Sequence, residues 1–158
     1  MEPDRFPEAV RLHDVTPYIQ EPLQCGPYAL AAVQDFMGIE TDAGEMSRRL
    51  YSPGAGGTLT MDLFLEATRS GLPARQLSGS ASNLQDQLES GPVIVLFRYP
   101  ALVGSGGHFI VVTGYSSSRK GFFILWGDGR LTWMDEKRFD GMWSGSGRWM
   151  LTFDRVAK

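Results

Sequence analysis

Three short, unbroken apolar runs constrain this chain most: Val93-Ile94-Val95-Leu96-Phe97, Phe109-Ile110-Val111-Val112-Thr113-Gly114-Tyr115 and Phe122-Phe123-Ile124-Leu125-Trp126. Runs of this length read as fully buried strands rather than as faces of a surface helix. After them Arg130 to Met134 alternates, Met134 to Trp143 reads as a strand passing into a helix, and Arg148 to Phe153 closes the sheet. Before Gly91 the pattern is helical. A helix is expected from about Gly26 to Met37, with Pro27 suited to its first turn and Gly38 to its stop. Its body, Tyr28 to Val33, is apolar on every face, which makes it a buried central helix. Shorter helices follow from about Thr41 to Leu50, from Thr60 to Ser70, and after Ala81-Ser82-Asn83 to about Glu89. Helices first and a mostly antiparallel sheet second define an α+β domain. The chain reads as one domain over residues 1–158, with residues 1–13 as an extended N-terminal arm.

Composition narrows the function classes. A net charge of −3 gives no electrostatic reason for a nucleic-acid or anionic-membrane partner. A single cysteine excludes an intrachain disulfide and any multi-cysteine zinc site. The opening Met1-Glu2-Pro3-Asp4-Arg5-Phe6-Pro7 holds no signal-peptide core, and no window has the length and apolarity of a membrane span. These features fit a cytoplasmic protein or a mature domain cut from an exported one, with no metal or organic cofactor implied.

The one cysteine, Cys25, lies in Gln20-Glu21-Pro22-Leu23-Gln24-Cys25-Gly26-Pro27-Tyr28-Ala29-Leu30, where the central helix begins. Helix-start N–H groups and the positive end of the macrodipole lower a thiol pKa, and the thiolate is the nucleophilic form. Gln20, upstream of it, is placed to offer a side-chain N–H to a developing oxyanion. Only two histidines are present. His13 falls in the arm and reads as exposed; His108 follows Gly104-Ser105-Gly106-Gly107 and opens the second apolar strand. Gly127-Asp128-Gly129 ends the third, so an antiparallel hairpin would set Asp128 beside His108 to orient its imidazole. Blander readings stand beside these. A lone cysteine is often a small buried hydrophobe. Gly-Asp-Gly also marks a plain hairpin turn, and Gln20 could be a loop residue with Gln24 in its role. Gly54-Ala55-Gly56-Gly57 lacks the Gly-Lys-Ser/Thr of a phosphate loop and reads as a loop near the cleft.

Gln20, the Cys25-Gly26-Pro27 block with its Ala-Leu, the His108–Tyr115 strand and the Asp/Gly turn together resemble the bacteriocin-processing, double-glycine leader peptidases. The resemblance runs from about Asp14 to Phe153 and is nearest to stand-alone bacterial members without a transporter. It implies a papain-like cysteine peptidase fold with Cys25 as nucleophile, His108 as general base and acid, Gln20 as oxyanion donor and Asp128 as orienting group. The usual Asp-Pro of the family is Asp128-Gly129 here, and an offset would bring Trp126 or Gly127 to the orienting position. A peptide or protein substrate cut after small residues such as Gly-Gly is implied. Two other readings stay open: an amidase, deamidase or acyltransferase with the same Cys-His chemistry, and a degenerate domain that binds a peptide without cutting it.

Overall fold

The computed structural model describes residues 9–54, 57–98 and 107–154. Residues 1–8 of the arm, residues 55–56 of the glycine-rich loop and the Gly104-Ser105-Gly106 run ahead of His108 lie outside them. The strands are β1 (Ala9–Leu12), β2 (Ala74–Ser78), β3 (Val93–Phe97), β4 (His108–Ser116), β5 (Gly121–Leu125), β6 (Leu131–Asp135) and β7 (Trp149–Phe153). The helices are α1 (Cys25–Phe36), α2 (Ala43–Leu50), α3 (Thr60–Arg69), α4 (Ala81–Leu88) and α5 (Glu136–Trp143). They form an α+β fold around one antiparallel sheet in the order β2-β7-β3-β4-β5-β6, with β1 added to β4.

The apolar runs are continuous because both faces of the sheet are covered. Along β3, Ile94 and Leu96 join α1, α2 and α3 in one core, while Val93, Val95 and Phe97 join α4 and α5 in another. Successive strand side chains point to opposite faces, so a strand between two helical layers is apolar at most positions, with Thr113 and Ser116 of β4 the buried polar exceptions on that strand. α1 lies deepest: Ala29, Leu30 and Val33 are fully buried, as its all-round apolarity predicts. Truncating Leu30 would cost about 2–5 kcal/mol on the general scale for buried leucines.

Two features depart from the sequence reading. β2 was not anticipated, because Ala-Arg-Gln-Leu-Ser carries little β signal; its pairing with β7 along five positions makes it an edge strand. His13 is half-buried rather than exposed: its Nε2 is 2.6 Å from the Leu88 carbonyl, and its ring meets Phe36 edge-on at 5.8 Å. Together with the pairing of β1 to β4, this lays the described part of the arm against the body of the fold.

Candidate active site

Cys25 is the first residue of α1. Asp42, Ser80 and Asp135 cap α2, α4 and α5 with side-chain oxygens, whereas Gln24 gives α1 no side-chain cap. The Cys25 side chain itself stands at the orphan N–H groups of that helix start. A donor to the sulfur comes from β4, where Phe109 N–H lies 3.5 Å from Sγ. Gly26 makes this approach possible, since a Cβ there would stand 3.1 Å from Thr58 Cβ and 3.2 Å from the Phe109 ring. The turn leading into α1 carries Leu23 at φ 63°, a left-handed conformation that costs a non-glycine residue about 1–2 kcal/mol.

His108 begins β4, next in sequence to the residue whose amide meets the sulfur. Its Nε2 is 2.7 Å from the Trp126 carbonyl, and its ring lies 4.4 Å from the Trp126 ring at 31°. A backbone carbonyl only accepts, so Nε2 must carry the hydrogen. In the neutral ring that leaves Nδ1 bare and able to take a proton.

Asp128 does not occupy the orienting position that the hairpin argument gave it. The β4–β5 ladder ends at Leu125, and Gly127 (φ 106°) and Gly129 (φ 81°) swing the chain away from β4. It pairs instead with the stretch before α1: Gln20 N–H donates to Gly127 O, Gly129 N–H donates to Tyr18 O, and Ile19 bridges Asp128. The Asp128 carboxylate is exposed and accepts from the Arg130 amide at 3.2 Å and its guanidinium at 3.1 Å. Gln20 turns inward, with its Oε1 buried against Gly127 and without a hydrogen-bond partner among the described residues.

The profile of the peptidase C39 family matches residues 17–155 of this chain. The chain belongs to the peptidase C39 family. Among solved structures, the double-glycine motif protease of an AMS/PCAT transporter, crystallised with its leader peptide, superposes with a TM-score of 0.75 at 19% identity, covering 93% of this chain and 96% of that one. A C39-like peptidase from Bacillus anthracis gives 0.75 at 18% identity, over 96% of this chain and 100% of its own. The peptidase domain of Streptococcus ComA, a bifunctional transporter of a quorum-sensing pathway, gives 0.73 at 21% identity, over 90% and 99%. No curated protein sequence matches this chain.

Within this C39 fold the electrostatics differ from what the helix start alone implies. Burial pushes the Cys25 thiol up from its ordinary value, and the amides of Phe109, Gly26 and Cys25 only partly offset it. The expected lowering of the thiol is therefore reversed by tertiary packing. Burial also pushes His108 down, with the Trp126 carbonyl opposing it. Each group taken singly is thus held toward its neutral form. Among the described residues no cluster of His, Cys, Asp or Glu could hold a metal ion, and no helix is long and apolar enough to cross a membrane.

Sequence reasoning missed the burial of Tyr18, whose hydroxyl has no hydrogen-bond partner among the described residues. Only the alternation Tyr-Ile-Gln could have signalled it. It also missed the Phe109 amide, which as a backbone group leaves no mark in the sequence.

Proposed function

We propose that this C39-family peptidase is a cysteine peptidase that cleaves a peptide after small residues through a Cys25 thioester. The observation that carries the reading is the Phe109 N–H to Sγ contact, which fixes the sulfur against the strand that begins with His108. The tautomer set by Trp126 supports it, because His108 then presents an accepting nitrogen. In the attack, the thiol proton passes to His108 as Sγ bonds to the substrate carbonyl carbon. The carbonyl electrons move onto oxygen, which takes hydrogen bonds from the Cys25 amide and from the Gln20 amide group. On collapse the C–N bond breaks and His108 returns its proton to the leaving amine. Water then attacks the thioester, giving its proton to His108, and the carboxylic product leaves with Cys25 restored.

The leader peptide bound to the transporter protease supports a peptide substrate for this chain as well. The test is hydrolysis of a peptidyl-Gly-Gly-aminomethylcoumarin by the wild type and by Cys25→Ala. Release by the wild type, with a trapped acyl adduct on Cys25 by mass spectrometry and none in the variant, is expected. Undiminished release by Cys25→Ala would overturn the assignment.

A further inference from the structure

The β4–β5 ladder ends at Leu125, and the next residue is Trp126. Its backbone and its side chain both meet His108. The carbonyl stands 2.7 Å from Nε2, and the indole lies against the imidazole at 4.4 Å between centroids, tilted by 31°. The indole is braced from behind. It packs on Phe97 at 5.9 Å, the residue paired with His108 in the β3–β4 register, and Phe97 in turn meets Phe139 of α5 edge-on at 5.0 Å. Phe97 and Phe139 are fully buried, whereas Trp126 is half-buried. An aromatic column thus runs from the core cluster beside α4 and α5 and ends on the ring of the candidate base.

A base in this position needs support. When the imidazole takes a proton at Nδ1 it gains a positive charge, and burial works against that charge. A carboxylate would offset it, but Asp128 is exposed and accepts from Arg130. Among the described residues the ring's hydrogen bond goes to the Trp126 carbonyl, and no charged side chain shares in its shift. The face of an aromatic ring carries negative potential. A cation within about 6 Å of an indole centroid is drawn to it, more strongly where water is excluded. The neutral imidazole gains only the dispersion of the stack, so the contact favours the protonated form.

We propose that the Trp126 indole is a positioning residue for the reaction: its face holds the His108 ring in place and stabilises the imidazolium that forms when the Cys25 thiol proton arrives. This rests on the cysteine-peptidase reading. The role belongs to the side chain and is separable from that of the carbonyl, which every substitution at this position retains. Losing the indole has two effects of opposite sign. Lost packing lets water reach the ring, which eases protonation; lost attraction to the face hinders it.

The test is the protonation midpoint of His108, read from its ring Cε1–H by NMR in the wild type, Trp126→Leu and Trp126→Phe. Leucine keeps an apolar filler and removes the face; phenylalanine keeps a weaker face. The midpoint in Trp126→Leu is expected to fall by about 0.5–1.5 pH units, and in Trp126→Phe by a smaller step. The kcat for a peptidyl-Gly-Gly-aminomethylcoumarin should fall by up to roughly 30-fold in Trp126→Leu, the same shift at tenfold per unit, with KM within about twofold. A midpoint that rises in Trp126→Leu would make the indole a water shield alone and overturn the proposal, as would a midpoint unmoved in both variants. Should Trp126→Leu not fold, the sign of the shift in Trp126→Phe decides. A wild type that forms no acyl adduct at Cys25, while the His108 shift appears as expected, would remove the peptidase reading and leave the imidazole–indole contact standing.

Discussion

His108 is oriented by a neutral carbonyl and an indole face where a carboxylate was expected, and this sets what each nearby residue can be asked to do. The Trp126 carbonyl fixes the tautomer through backbone that no side-chain substitution removes. Asp128, exposed and paired with Arg130, contributes at most what a surface ion pair does. Asp128→Asn is therefore expected to change kcat/KM by less than about fivefold, the equivalent of a surface pair worth up to about 1 kcal/mol. A loss of a hundredfold or more would restore the carboxylate to the imidazole. The places of Cys25 and His108 in the fold were legible because each sits in a local pattern, a helix start and a strand start. The place of Asp128 was not, because hairpin register predicts neighbours only while the ladder lasts, and it stops at Leu125.

At the scale of elements, the short pairing of residues 18–20 with 127–129 brings Gln20 and Tyr18 to the start of α1. Gly127 is its hinge. Its φ of 106° disfavours any L side chain, and a Cβ would collide with the Gln20 amide. Gly127→Ala should cost about 1–3 kcal/mol of stability, read as a lower thermal midpoint. It should also reduce peptidase activity more than Cys25 alkylation, because it displaces Gln20, the proposed oxyanion donor, rather than the sulfur. Equal activity and midpoint would show that this pairing does not hold the site. The helices and the apolar strands were legible from periodicity alone, since burial on both sheet faces writes itself into composition. β2 was not, because its register is supplied by β7 rather than by its own residues. The direction of the Cys25 shift was hidden for a similar reason: the helix start is local, but the burial that outweighs it comes from β4 and the surrounding core.

For the whole molecule, the helical half of the chain carries Cys25 at the start of α1 and the sheet half carries His108 at the start of β4. The packing of α1 on β4 brings the Cys25 sulfur to the Phe109 amide, next in sequence to His108. Burial sets the direction in which each group is shifted. His108 sheds its proton below its ordinary 6.5, so on raising the pH it becomes able to accept the thiol proton early. The thiol unaided ionises only above its ordinary 9.0. The most direct test is the rate of iodoacetamide alkylation of Cys25 against pH, in the wild type and in His108→Ala. The account predicts a wild-type reactive limb that rises below pH 6.5 and is absent from the variant, which reacts only as the pH climbs past 9.0. At pH 7 the two should differ by about 100-fold or more, the range of a lost general base. Superimposable profiles would contradict it, leaving Cys25 an ordinary buried thiol and His108 a bystander.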